Sequence, residues 1–140
     1  MIKAFLDSDV ILDLLLDRAP FVADAARIFV LGERKEVELY TSTVSFLNIY
    51  YVAARLKGKD AARPLLRQLR RIVALLPVNE SMVDEAFDRS RKDIEDYVQL
   101  PAAGAAGMDY LVTRNVKDYP RTGVPVVVPR VLVDSVGYTD

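Results

Sequence analysis

The stretch Ile2-Lys3-Ala4-Phe5-Leu6-Asp7-Ser8-Asp9-Val10 decides the fold class, because an apolar run ends in two acids and then enters a helical pattern. Continuous apolar runs of this length are typical of strands that are buried on both faces of a sheet. Four further runs predict strands at 37–41, 73–78, 109–113 and 124–128. Helical patterns lie between the runs, at 23–33, 44–56, 61–73, 80–91 and 94–106. This alternation indicates βαβ units, and therefore an α/β fold with a mostly parallel five-stranded sheet and helices on both faces.

Length and charge narrow the class of protein. The 140 residues predict one domain that spans 1–140 and has a substantial core. The net charge of −1 means that any nucleic-acid site must be a local patch. No signal-peptide layout and no apolar stretch near the roughly 20 residues that span a bilayer are present, so no membrane association is expected. The chain has no cysteine, which excludes disulfides and fits a cytoplasmic location.

Acids and an amide cluster at the ends of predicted strands and at the start of a predicted helix. They are Asp7, Asp9, Asp93, Asp96, Asn115 and Asp118. Ligands of open α/β sheets bind in the crevice outside the carboxyl ends of the strands. Carboxylates gathered there repel one another unless a cation joins them, and oxygen-only ligands favour Mg²⁺ or Mn²⁺. The absence of histidine and cysteine nearly excludes zinc and thiol chemistry.

Each of these residues also has a structural interpretation, since Asp and Asn commonly cap helices. Asp9 suits the cap of a helix entered at Val10, whereas Asp7 belongs to the strand end and is expected to point into the crevice. Asp93 is interpreted as a cap, and Asp96, about one turn further, as a functional residue.

Two further assignments follow from position. Glu95 is expected to face solvent. Asn115 is compatible with the cap of a short helix that has Asp118 in its first turn. Because this segment follows a predicted buried strand, we favour a functional role for Asp118.

A basic segment lies in the middle of the chain. It carries seven cations against the single acid Asp60, for a net charge of +6. The cations are Arg55, Lys57, Lys59, Arg63, Arg67, Arg70 and Arg71. Two interpretations stay open: a solvated pair of helices, or a surface that contacts RNA phosphates or an acidic partner segment.

Four segments together resemble the PIN domain, the nuclease fold that includes the VapC-type toxins. They are Phe5-Leu6-Asp7-Ser8-Asp9-Val10-Ile11-Leu12-Asp13, Thr41-Ser42-Thr43-Val44-Ser45-Phe46-Leu47-Asn48-Ile49-Tyr50-Tyr51, Asp93-Ile94-Glu95-Asp96-Tyr97 and Val112-Thr113-Arg114-Asn115-Val116-Lys117-Asp118-Tyr119. The resemblance implies a three-layer α/β/α fold whose central, mostly parallel sheet has the order 3-2-1-4-5. It also implies an acidic pocket that binds Mg²⁺ or Mn²⁺, and an enzyme that hydrolyses RNA.

The resemblance assigns roles by position. Asp7, Asp96 and Asp118 fall on family acids, which implies that they are the catalytic residues and metal ligands. The second family acid is usually a glutamate, and here that position holds Asn48. The residues expected to orient the ligands or the substrate are Asp9, Asn48, Thr113 and Asn115. The neutral amide at position 48 implies a weaker hold on metal than in most of the family.

The resulting hypothesis is a Mg²⁺- or Mn²⁺-dependent endoribonuclease that acts as the toxin of a toxin–antitoxin pair. A homodimer, an antitoxin protein and an RNA substrate are the expected partners, with Phe46, Tyr50 and Tyr51 as candidates for the dimer interface. One alternative is a non-catalytic nucleic-acid or protein binding module on a degenerate nuclease fold. A more distant alternative is a haloacid-dehalogenase-like phosphatase that uses Asp7 and Asp9, although the usual glycine before the later acidic motif is missing.

Overall fold

A computed structural model describes residues 1–90, 93–120 and 123–140. The strands are β1 (Ile2–Leu6), β2 (Val37–Ser42), β3 (Val73–Leu76), β4 (Tyr110–Val112) and β5 (Val126–Val127). The helices are α1 (Ser8–Leu15), α2 (Val22–Glu33), α3 (Thr43–Lys57), α4 (Lys59–Ile72), α5 (Glu80–Arg89), α6 (Ile94–Tyr97), α7 (Gln99–Ala105) and α8 (Pro129–Ser135). A short 3₁₀ helix, Val116–Asp118, follows β4.

The five strands form one sheet in the order β3-β2-β1-β4-β5, and every neighbouring pair is parallel. The predicted fold class and strand order are therefore confirmed. β1 lies at the centre, where Phe5 pairs with Tyr40 of β2 on one side and with Leu111 of β4 on the other. Because all the strands run the same way, their carboxyl ends meet at one edge of the sheet, and the segments that follow β1, β2 and β4 begin there.

Helices cover both faces of the sheet, because alternate residues along β1 belong to different apolar clusters. Ala4 and Leu6 belong to one apolar cluster, which also contains residues of α1, α2, α3, α4 and α8. Phe5, between them, belongs to a second cluster with Leu100 and Ala103 of α7. Neighbouring residues of a strand point to opposite faces, so the two clusters are the two layers between sheet and helices. The three-layer α/β/α architecture is confirmed.

The elements differ from the predicted ones in three ways. The pattern at 94–106 forms two short helices, because Pro101 has no N–H to donate to the carbonyl of Tyr97 and its ring crowds that carbonyl. α1 begins at Ser8, two residues before the expected start at Val10. α8 was not among the predicted helices, although Pro129 at its first position is a known helix-start signal. No helix within the described ranges is long and apolar enough to cross a membrane.

Candidate functional site

Asp7 lies at the carboxyl end of β1 and is the hydrogen-bonding centre of the site. Its Oδ1 accepts a hydrogen bond from the backbone N of Ser8 at 2.7 Å. Its Oδ2 accepts from the hydroxyl of Thr113 at 2.9 Å and from the hydroxyl of Tyr119 at 2.8 Å. The residue is only 5% exposed. The segment after β4 therefore fixes the orientation of an acid that follows β1.

The expected cap of the first helix was wrong. Asp7, not Asp9, occupies the N-cap of α1, because the helix begins at Ser8 directly after the strand and leaves no intervening loop. Asp9 consequently lies in the first turn of α1. Its Oδ2 accepts hydrogen bonds from the backbone N of Arg114 at 3.0 Å and from Nδ2 of Asn115 at 3.1 Å.

The surroundings of Asp9 also disfavour its charged form. Burial, and then the negative charge of Asp7, raise its pKa to about 6. Its second oxygen, Oδ1, is buried and has no hydrogen-bond partner among the described residues. A carboxylate in this condition favours a proton or a nearby cation.

Three acids on and before α6 form a compact cluster, which we call the α6 acid cluster: Asp93, Glu95 and Asp96. Each offers one carboxylate oxygen, and these oxygens all lie within 4.8 Å of one another. Asp93 caps α6 by accepting a hydrogen bond from the backbone N of Glu95 at 3.0 Å, as expected. The expectation that Glu95 faces solvent was wrong, since the residue is partly buried and its Oε1 is fully buried. The three acids therefore lie side by side at the start of α6.

The pKa values of this cluster report how closely the acids approach the rest of the site. Burial, then the charges of Asp96, Asp7 and Asp93, raise the pKa of Glu95 to about 7. Burial, then the charges of Asp7 and Asp93 and a smaller effect of Asp118, raise the pKa of Asp96 to about 6. The structure therefore brings Asp7, Asp96 and Asp118 into one electrostatic neighbourhood, although 111 positions separate the first from the last.

A cavity of about 470 Å³ opens beside the α6 acid cluster. Asp96 of α6 and Asp118 of the segment after β4 both line it. Among the described residues, Tyr97, Pro120 and Arg89 also form part of its wall. Asp118 belongs to the 3₁₀ helix after β4, and Asn115 at the start of that helix makes no capping hydrogen bond through its side chain. The acids thus face a space that is large enough for part of a chain-like substrate.

Neither Asn48 nor the cations of the basic segment line the cavity beside the α6 acid cluster. Asn48 is exposed in the second turn of α3, the helix that begins where β2 ends. Arg70 and Arg71 line a separate cavity of about 550 Å³ together with Met1, Val37 and Val73, which lie at the starts of strands. These two arginines are therefore at the edge of the sheet opposite the acids. The other cations of the segment are exposed on α3 and α4.

Two features of the site were not predicted. Tyr119 is buried against Asp7, and burial together with that negative charge raises its pKa, so its hydroxyl stays a donor. Arg114 forms a two-point ion pair with Asp13, with Nε to Oδ2 at 2.6 Å and Nη2 to Oδ1 at 3.1 Å. Its guanidinium also lies 4.0 Å from the centre of the Phe21 ring. No pattern in the sequence links positions 13 and 114. Tyr119, in contrast, lies one residue after Asp118 and is the last residue of the fourth segment that resembles the PIN domain.

The donor set fits a hard divalent cation. Every candidate ligand is an oxygen, which suits Mg²⁺ or Mn²⁺. Two buried carboxylate oxygens, on Asp9 and Glu95, have no hydrogen-bond partner among the described residues. The raised pKa values of Asp9, Glu95 and Asp96 show that negative charge is present in excess. A cation would relieve that repulsion.

Comparisons with solved structures show the same fold. FitAcB from Neisseria gonorrhoeae is 18% identical, with a TM-score of 0.70 over 91% of this chain and 98% of that chain. A toxin–antitoxin complex from Klebsiella pneumoniae is 19% identical, with a TM-score of 0.64 over 90% and 97%. VapC20 of Mycobacterium tuberculosis, a sarcin-ricin loop cleaving toxin, is 17% identical, with a TM-score of 0.61 over 77% and 86%. A search of curated proteins returned no match.

Family membership follows from the sequence match. The family model described as PIN domain matches residues 3–117, which include all four segments on which the resemblance rests except the last two residues of the fourth. The match also favours a nuclease over the phosphatase alternative. The sheet order and the acids after β1 and β4 agree with that assignment, and the chain belongs to the PIN domain family.

Proposed function

We propose that this protein is a divalent-metal-dependent endoribonuclease and the toxin of a toxin–antitoxin pair. The observation that carries the proposal is that three acids from distant segments approach one another: the charges of Asp7 and Asp118 both act on Asp96, and Asp96 and Asp118 line one cavity. Membership of the PIN domain family supports it. So do two structural neighbours, one described as an RNA-cleaving toxin and one as a toxin–antitoxin complex.

Asp7, Asp96 and Asp118 would hold Mg²⁺ or Mn²⁺. A bound divalent ion makes water a stronger nucleophile and offsets charge on the phosphoryl and leaving oxygens. Because the chain has no histidine, acid–base catalysis by an imidazole pair is excluded.

The chain's own residues would orient these acids. Thr113 and Tyr119 donate to the same oxygen of Asp7 and so hold its carboxylate in one rotamer. Asp9 ties the backbone at Arg114 and the side chain of Asn115 to α1. These contacts keep the segment after β4, which carries Asp118, at a fixed distance from Asp7.

Substituting Asp7, Asp96 and Asp118 singly by Asn tests the proposal, because each change removes charge with little change in shape. With saturating Mg²⁺ and a structured RNA, we expect each variant to lose at least about 99% of the parent's cleavage rate. Asp134→Asn, an exposed acid on α8, is the matched control and should cleave like the parent. Parental cleavage by all three site variants would refute the site assignment.

We also propose a homodimer. Of the three aromatic candidates, Phe46 and Tyr50 pack against the core, whereas Tyr51 is 63% exposed and lies one turn from the exposed Leu47. Exposed apolar neighbours at this spacing form one face of α3 and favour a protein contact. Sedimentation at high micromolar concentration should give a dimer for the parent and a monomer for Leu47→Ser/Tyr51→Ser. A monomeric parent would contradict the dimer.

The basic segment we assign to a protein partner and not to RNA. Arg70 and Arg71 lie at the sheet edge opposite the acids, and Nη1 of Arg70 already donates to the carbonyl of Val73 at 2.8 Å. An antitoxin with an acidic segment would match the charge of this surface. The Klebsiella complex supports an antitoxin as the kind of partner to seek.

The binding-module alternative has one observation in its favour. Asn48 offers a neutral oxygen at the position where the family usually has a carboxylate. A module of this kind would bind RNA without cutting it. The parent would then show no cleavage, and the Asn variants described above would bind RNA as the parent does.

A further inference from the structure

One carboxylate oxygen of the α6 acid cluster has no partner to offset its burial. Oε1 of Glu95 is shielded from solvent and accepts no hydrogen bond from the described residues. A buried polar atom costs free energy unless a donor or a cation satisfies it. The atom is therefore a candidate for contact with something that binds at the site.

The backbone of Glu95 is fixed on both sides. Its N–H donates to the carboxylate of Asp93 at 3.0 Å, and its carbonyl accepts a hydrogen bond from Nε2 of Gln99 at 3.1 Å. Gln99 is itself fully buried. The backbone that carries the Glu95 side chain is consequently well held, as the support of a ligand requires.

The spacing of the cluster suits one ion. Oxygens of Asp93, Glu95 and Asp96 lie within 4.8 Å of one another. Two oxygen ligands of the same divalent ion, each about 2.0–2.6 Å from it, are at most roughly 4–5 Å apart. Glu95 can therefore reach an ion that Asp96 holds.

We propose that Glu95 is a ligand of the divalent ion and supplies the negative charge that Asn48 does not. This inference rests on the proposed function, since it concerns the same metal site. With Asp7, Asp96 and Asp118 as the ligands proposed above, Glu95 would bring the number of carboxylates to four without an acid on α3. Asp93 lies within the same spacing, but its Oδ1 already accepts the capping hydrogen bond from the backbone N of Glu95.

Calorimetric titration of Mn²⁺ into the full chain tests the proposal without reference to catalysis. Glu95→Gln should weaken Mn²⁺ binding by about tenfold or more, because affinity for hard cations falls with ligand charge. Glu36→Gln is the matched control, since Glu36 is exposed just before β2, at the opposite edge of the sheet. Unchanged affinity in Glu95→Gln, with affinity lost in Asp7→Asn, would overturn the proposal.

A double variant tests the link to position 48. Glu95→Gln/Asn48→Glu returns one carboxylate to the site and should recover most of the lost Mn²⁺ affinity. If the double variant binds as weakly as Glu95→Gln alone, Glu95 does not stand in for the charge missing at position 48.

Two readouts keep the outcomes separate. Melting temperatures in chelator establish that each variant is folded, and Mn²⁺ should raise the melting temperature less in Glu95→Gln than in the parent. A parent that binds Mn²⁺ through Glu95 without cleaving RNA would leave the ligand assignment intact and remove the nuclease function. A parent that binds no Mn²⁺ would remove both.

Discussion

Asp7 has two roles that the sequence presented as alternatives. It caps α1 through one oxygen, and through the other it accepts hydrogen bonds from Thr113 and Tyr119 beside the remaining acids. A strand that passes directly into a helix makes this possible, because the cap position then coincides with the carboxyl end of the sheet. Capping and function are therefore compatible at this residue.

Asn48 allows a prediction about metal affinity. Asn48→Glu should strengthen Mn²⁺ binding and raise turnover at low metal concentration, because a charged oxygen attracts a hard cation more strongly than an amide does. The same change should lower the melting temperature of the metal-free protein by crowding like charges. Metal titration of both forms, followed by cleavage assays across Mn²⁺ concentrations, provides the measurement. Equal or weaker Mn²⁺ binding would show that position 48 does not face the metal.

Some single residues of the site could be predicted from the sequence, and others could not. The acids that follow β1 and β4 stood out because a strand end locates them. Glu95 was expected to face solvent, and its partial burial could not be predicted, because it depends on packing against segments that are distant in the sequence.

At the scale of elements, the Asp13–Arg114 ion pair joins α1 to the segment after β4. Asp13 is 1% exposed and Arg114 is partly buried, so the pair is largely withdrawn from solvent. Because Thr113 and Asn115 flank Arg114 and contact Asp7 or Asp9, the pair also positions the site. The partners lie 101 positions apart in the sequence, which explains why no local pattern predicted the contact.

Removing one partner should therefore be costly. Asp13→Asn leaves the Arg114 charge without its counterion and should destabilise the protein by about 3 kcal/mol in denaturant unfolding. Glu85→Gln, which breaks the exposed pair with Arg89 on α5, is the control and should cost about 0.5 kcal/mol or less. Equal effects of the two substitutions would show that the buried pair contributes no more to the free energy of unfolding than the exposed pair does.

The arginines at the end of α4 give a second prediction at this scale. Replacing Arg67, Arg70 and Arg71 by Gln should leave the salt dependence of RNA binding unchanged, because two of the three lie at the far edge of the sheet. RNA affinity measured from low to moderate salt provides the test. A fall in the log–log slope of roughly one unit per arginine would instead place RNA phosphates on this surface.

For the whole molecule, the concentration of acids makes stability depend on pH. The pKa values of Asp9 and Asp96 are raised to about 6, and that of Glu95 to about 7, so the folded protein binds these protons more tightly than the unfolded chain does. The stability that these groups contribute is therefore present at low pH and is lost as pH rises through about 4 to 7.

The prediction is that the metal-free protein in chelator melts several degrees higher at pH 5.5 than at pH 8. Glu95→Gln should reduce this difference, because it removes the group with the highest of the raised pKa values. Mn²⁺ should raise the melting temperature at pH 8, where the carboxylates are ionised. A metal-free melting temperature that rises from pH 5.5 to pH 8 would contradict this electrostatic account.

The global fold was the most predictable level. Apolar runs with the right spacing located all five strands, since each buried strand needs such a run whatever its neighbours are. The strand order came from the resemblance to the PIN domain, because no pattern within one strand specifies which strand lies beside it. Contacts between distant segments, such as Tyr119 with Asp7, depend on that order and became visible only with the structure.

Whether these acids form a metal-dependent ribonuclease site is decided by adding metal back to metal-free protein. Protein freed of metal by chelation is mixed with a structured RNA, and Mn²⁺ is added back stepwise to the parent and to Asp96→Asn. We expect no cleavage without metal, saturable recovery of cleavage in the parent, and no recovery in Asp96→Asn. Metal-independent cleavage by the parent, or full recovery in Asp96→Asn, would contradict the proposed site.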